Sequence, residues 1–128
     1  MDISQIADGL YVASAFYPPD DDMPPQAVML DVDTLLDTPL GHNGEAELER
    51  FASATQLLRS QGYNVVLRCD AGRNRSSAVA ALCLITEGMK PNVAIGIVRQ
   101  ARRDPLRRSG GIALTNDSFV EYLQARTP

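Results

Sequence analysis

Between Val65 and Ser77 the chain reads V-V-L-R-C-D-A-G-R-N-R-S-S, and four residue types in it stand where phosphoryl chemistry needs them. Cys69 ends an apolar run, Gly72 follows three residues later, Arg75 three beyond that, and Ser76 comes next. A cysteine thiolate is a strong nucleophile. The planar fork of Arg75 can hold two phosphoryl oxygens at once, and it matches the charge that spreads over the equatorial oxygens during transfer. Gly72 lets the backbone turn tightly with its amides facing inward, where a side chain would obstruct those oxygens. Ser76 can donate a hydrogen bond to the sulfur and so make it a better leaving group in a second step. The run Asp70, Ala71, Gly72, Arg73, Asn74, Arg75, Ser76 is therefore expected to bind phosphate, with Cys69 as its built-in nucleophile.

Such a loop works only if a strand delivers it and a helix receives it. Residues 64–67 run from Asn64 into apolar, β-branched valines after a turn signal at Gln61-Gly62, the pattern of a buried strand in a parallel sheet. Residues 76–85 are rich in Ala, Leu and Val at helical spacing, and Gly88 stands just past their end as a helix-terminating residue. Cys69 is thus brought to a helix N-terminus, where unpaired N–H groups and the positive end of the helix dipole attract an anion. The same field favours the thiolate over the thiol, so Cys69 is expected to be nucleophilic at neutral pH.

A cysteine and an arginine at this spacing are a weak signal alone, but the glycine, the serine, the preceding strand and the following helix sharpen it. On Cys69, Gly72, Arg75 and Ser76 the sequence resembles the cysteine-dependent protein phosphatase superfamily, specifically its small dual-specificity type. The likeness extends to I-A-D-G-L-Y-V-A-S upstream, which resembles that family's opening strand. Downstream, G-M-K-P-N-V-A-I-G-I-V-R-Q-A-R and N-D-S-F-V-E-Y-L resemble the helix after the loop helix and the closing helix. The resemblance implies an α/β fold, with a mainly parallel central sheet flanked by helices, like that of phosphotyrosine protein phosphatases. It implies hydrolysis of phosphate monoesters, phosphotyrosine and also phosphoserine or phosphothreonine, through a phosphocysteine. It further implies an aspartic acid about thirty residues before the cysteine, on the loop entering the preceding helix, that protonates the departing oxygen. Asp37 has the best spacing for that role and Asp33 is second, whereas Asp31 reads as a solvated carboxylate at a strand end.

Two departures from the family stand out. Arg68 occupies the place before the cysteine where the family usually has histidine; a cation there can still favour a thiolate. Only residues 15–32 are available where the family fits a helix and a further strand, so one βα unit is expected to be shortened or missing.

The remaining pattern supplies strands near residues 10–13, 28–32 and 65–67, and helices near 44–59, 76–87, 91–102 and 116–124. Pro91 suits a first helical position, and Asn116 or Thr115 suits a cap. At 128 residues the chain is expected to be a single domain, 1–128. The start lacks a basic segment followed by an apolar one, and the longest apolar stretch, 78–85, is too short to span a bilayer. Cys83 lies ~12 Å along a regular helix from the loop, too far to pair with Cys69, and reads as a small core residue in a reducing, cytoplasmic setting. The lone His42 sits in a polar turn and reads as exposed. A net charge of −4 argues against nucleic-acid and membrane binding. Arg99, Arg102, Arg103, Arg107 and Arg108 form a basic cluster that reads equally well as a substrate-attracting rim or as a solvated helix end favoured by the dipole, with some of the arginines bracing the loop from behind. No cofactor or metal is called for, since Arg75 and the loop amides supply the positive charge.

The expected partner is a phosphorylated protein or a small phosphate monoester, and the chain is expected to be a monomer. Other readings of the same residues are a phosphate-binding module without turnover and a relative acting on phosphoinositides or RNA 5′-triphosphate ends. A redox thiol is a further reading, but Cys69 lacks a partner cysteine for it.

Overall fold

The computed structural model describes residues 3–14, 23–33, 35, 40–70, 74–103 and 113–126. Its elements run β1 (Ile3–Ala7), β2 (Leu10–Ser14), β3 (Ala27–Asp31), α1 (His42–Ser60), β4 (Asn64–Cys69), α2 (Arg75–Thr86), α3 (Pro91–Ala101) and α4 (Asp117–Ala125). The four strands form one sheet in the order β1-β2-β4-β3. β4 pairs in parallel with β2 on one side and β3 on the other, and only β1 runs antiparallel. This is the mainly parallel sheet flanked by helices that the sequence implied.

Strand β4 takes the central place because it has no polar face to offer solvent. Val65, Val66 and Leu67 are all fully buried, as a strand covered on both faces requires. Its neighbour β3 connects to it through α1, and such a parallel crossover puts the carboxyl ends of both strands at one edge of the sheet. Cys69 is the last residue of β4 and stands at that edge.

Alternation along the strands places Leu10 and Val12 of β2 with Val65 and Leu67 of β4 on one face, in the registers Leu10↔Val65 and Val12↔Leu67. These side chains join Leu48 and Ala52 of α1, Ala94, Ile95 and Val98 of α3, and Phe119 and Leu123 of α4 in one apolar cluster. At its centre lies α2, buried without interruption from Ser76 to Ile85. A helix apolar all round has to be an interior one. It touches α1, α3 and α4 and rests on β2 and β4.

The terminating signals fall where the sequence set them. Gly88 takes φ +108° immediately after the α2 cap residue Glu87, a backbone state that residues with a Cβ enter at a cost. Pro91 is the first residue of α3, behind the cap residue Lys90. Asn116 caps α4 by accepting from the N–H groups of Ser118 and Phe119. His42 opens α1 and is exposed.

One element differs from the sequence reading. The segment I-A-D-G-L-Y-V-A-S, which resembles one opening strand, breaks at Asp8-Gly9 and doubles back, so that Ala7 faces Leu10 and β1 forms a hairpin with β2. Gly9 makes the reversal with φ +73°, and both Nε and Nη2 of Arg59 donate to the Asp8 carbonyl, tying the turn to α1. Asp-Gly between two apolar runs is a hairpin signal in its own right. In the interval 15–32 the structure places β3, while residues 15–22 lie outside the described residues.

Candidate active site

Cys69 reaches the end of β4 nearly buried, at 5 % exposure. The Oγ of Ser76 lies 3.1 Å from its sulfur, and the Ser76 backbone N–H donates to the same sulfur across 3.5 Å. Ser76 itself is fully buried in the first turn of α2. The sulfur therefore faces a hydroxyl and an amide at the N-terminus of a helix, where the dipole has its positive end.

The backbone around the sulfur is held from three sides. The Ser14 hydroxyl, at the end of β2, donates to the Asp70 carbonyl at 2.7 Å. Asn74 stands at the N-cap position of α2 but makes no cap bond there. Its Oδ1 instead accepts from the backbone N–H groups of Thr115 and Asn116, at 2.7 and 3.0 Å, just before α4. Leu114, next in line, is fully buried with φ +57°. A non-glycine residue in that left-handed region is strained and persists only where its surroundings fix it. Arg99 of α3 does so, donating to the carbonyls of Ala113 and Leu114 at 3.3 and 2.8 Å.

Arg75 is the first residue of α2. Its Nη2 lies 3.3 Å from Oδ2 of Asp70, with the Arg75 side chain 17 % exposed and that of Asp70 73 % exposed. Cys69, Asp70, Asn74, Arg75 and Ser76 are thus gathered at one end of the sheet. Ala71, Gly72 and Arg73 lie outside the described residues, as does Asp37. Asp33 is exposed, two residues after the end of β3.

Arg68 does something other than face the thiol. Successive residues of a strand point to opposite faces, so Arg68 looks away from the Cys69 side. Its Nε and Nη2 meet the two oxygens of Asp31 at 2.6 and 3.1 Å. That two-pronged bond raises the Arg68 pKa above its ordinary value, against a smaller lowering from partial burial. Asp31 and Arg68 are paired residues in the β3/β4 register, so the ion pair fastens the outer strand to the central one.

The basic cluster also divides. Arg99 braces the turn before α4, and Arg102, only 3 % exposed, donates to the Ser4 hydroxyl and the Val12 carbonyl at 3.0 and 3.3 Å. Both turn inward, Arg99 to the turn before α4 and Arg102 to β1 and β2. Arg103 is exposed, and Arg107 and Arg108 lie outside the described residues.

The sequence reading overlooked Ser14, Leu114 and the use of Thr115 as a partner for Asn74. Nothing in the types of these residues marks them, because Ser14 meets a backbone carbonyl, and Leu114 and Thr115 offer backbone groups, that only the fold brings near. A cavity of about 510 Å³ opens at the other end of the sheet, lined among others by Asp8, Arg59, Tyr63 and Glu87. Arg59 there is engaged with Asp8, Gln56 and Glu87, so the cavity offers no counterpart to Cys69 and Arg75. Among the described residues no group of three or more His, Cys, Asp or Glu could hold a metal ion. Nor is any helix among them long and apolar enough to cross a membrane.

No model of a known protein family matches this sequence, and no curated protein does. Solved structures do. Human DUSP28 superposes with a TM-score of 0.67 at 17 % identity, over 97 % of this chain and 93 % of that one. OH1 of the Orf virus, a tyrosine phosphatase with triple substrate specificity, gives 0.61 at 14 % identity over 96 % and 84 %. Tk-PTP in its active form gives 0.57 at 16 % identity over 98 % and 97 %. The chain has the fold of the small dual-specificity and tyrosine phosphatases.

Proposed function

We propose that residues 1–128 form one catalytic domain, a cysteine-dependent phosphatase acting on phosphate monoesters. One observation carries this reading: the Cys69 sulfur sits 3.1 Å from Ser76 Oγ at the N-terminus of a buried helix that opens with Arg75. The Cys69 thiolate attacks phosphorus while the bond to the leaving oxygen breaks, and Asp37 gives that oxygen its proton. Arg75 and the amides of residues 70–76 hold the equatorial oxygens in the transition state. Water then attacks the phosphocysteine, its proton passing back to the Asp37 carboxylate, and the sulfur departs as a thiolate that the Ser76 hydroxyl stabilises. The substrates are phosphotyrosine and, where the pocket is shallow, phosphoserine or phosphothreonine. The setting is the cytoplasm and the chain acts as a monomer.

The deciding trial is hydrolysis of an aryl phosphate in the presence of a chelator. Wild type should turn over, and Cys69→Ser should fall to the uncatalysed background; a Cys69→Ser variant with full activity would sink the mechanism. A second reading, a phosphate-binding module without turnover, draws support from Arg68 being committed to Asp31 and therefore not serving the thiol. Phosphate binding with no hydrolysis between pH 5 and 8 selects it.

A further inference from the structure

Asp70 directly follows the nucleophile, and its backbone is pinned by the Ser14 hydroxyl at 2.7 Å. From that fixed point its carboxylate reaches the Arg75 guanidinium at 3.3 Å while remaining 73 % exposed. The fork assigned to phosphoryl oxygens is thus met by a carboxylate of the same loop, and that carboxylate stands at the rim rather than in the interior. We propose that Asp70 is an internal counter-anion for Arg75 and sets the substrate class of this site.

The inference rests on the phosphatase reading and deepens it. A phosphate dianion must compete with Asp70 for Arg75, and the backbone that carries the carboxylate is anchored beside it. The carboxylate stays beside the bound phosphate and repels it. A substrate bearing further negative charges near the scissile phosphate, such as an inositol polyphosphate head group or a triphosphate end, meets this repulsion several times over. An isolated monoester meets it once. The site therefore favours single phosphate monoesters over polyanionic ones.

A unit charge ~6 Å from a dianion in water-like surroundings changes affinity about ten-fold, and added salt screens much of it. The test is calorimetric binding of inorganic phosphate to the wild type and to Asp70→Asn at low and high salt. Asp70→Asn should bind about ten-fold tighter at low salt, with the gap narrowing at high salt, whereas Asp70→Glu, which keeps the charge, should lack that gain. The unfolding midpoint of Asp70→Asn, measured alongside, should match the wild type, since the side chain is exposed. In turnover, Asp70→Asn should raise kcat/KM for an RNA 5′-triphosphate by a larger factor than for an aryl phosphate. Equal or weaker phosphate binding by Asp70→Asn overturns the counter-anion while leaving the phosphate site standing. Absence of phosphate binding by both proteins overturns the site and the counter-anion together.

Discussion

Ser76 shows how much a single side chain can be asked to do. It is fully buried, so its hydroxyl has few partners to choose from, and its position 3.1 Å from the Cys69 sulfur commits it to that atom. A hydrogen bond to a charged partner contributes about 1.5–3 kcal/mol, which corresponds to roughly ten- to a hundred-fold in a rate if it is made mainly when the sulfur departs. Ser76→Ala is therefore expected to slow breakdown of the phosphocysteine more than its formation. Stopped-flow hydrolysis of an aryl phosphate should show a burst of released phenol followed by a slower steady state; linear release at the wild-type rate would remove Ser76 from the mechanism. Arg68 illustrates the opposite case. Its charge was legible, but its direction was not, because only the strand register put Asp31 opposite it.

At the scale of elements, the start of α2 is tied to the start of α4. Asn74 gives up the capping of α2 and spends both acceptor positions of its Oδ1 on the N–H groups of Thr115 and Asn116. This joins the start of α2 to a turn that contains the strained Leu114 and that Arg99 holds from α3. Breaking two such bonds costs about 1–2 kcal/mol. Asn74→Ala should lower the urea midpoint accordingly and raise KM for an aryl phosphate, because the helix start that carries Arg75 is loosened. Asn74→Asp keeps the acceptor and should recover most of the stability, which separates the hydrogen bond from the size of the side chain. The strands and helices themselves were readable from hydrophobic period and from Gly, Pro and Asn punctuation. The hairpin of β1 with β2 was less legible because β1, Ile-Ser-Gln-Ile-Ala, is short and carries two polar residues, which leaves the Asp8-Gly9 turn as its main sign.

For the molecule as a whole, the buried Cys83 and the half-buried Tyr122, both away from the site, tie stability to alkaline pH. Burial pushes the Cys83 thiol from an ordinary 9.0 up to about 12, with the Arg59 charge opposing it. Burial, and then the 2.5 Å hydrogen bond to Glu49, push Tyr122 from 10.0 up to about 12. Both folded values lie above the unfolded ones. The folded chain thus holds protons that the unfolded chain has lost, so stability is full below about pH 9 and declines as pH rises toward 12. The fully buried Cys83 sets a slope of ~1.4 kcal/mol per pH unit once its unfolded value is passed, whereas Tyr122, reached by solvent, adds less. Denaturant unfolding at pH 8, 9.5 and 10.5 should show this decline, and Cys83→Ala should flatten it between pH 9 and 10 whatever it costs in packing. A variant that declines as steeply as wild type would place the effect elsewhere.

The sequence by itself determined the chemistry on offer and the order of the parts. Residue type decides what Cys69, Arg75 and Ser76 can do. Local periodicity with terminating residues decides that a strand ends and a helix begins between them, since both depend only on near neighbours along the chain. Tertiary structure decided which groups these residues meet. Ser14 beside Asp70, Asn74 on Thr115 and Asn116, Arg99 and Arg102 turned inward, and Arg68 claimed by Asp31 all join positions far apart in the chain. Such pairings follow from sheet order and helix packing, where burial and long-range register outweigh any local preference.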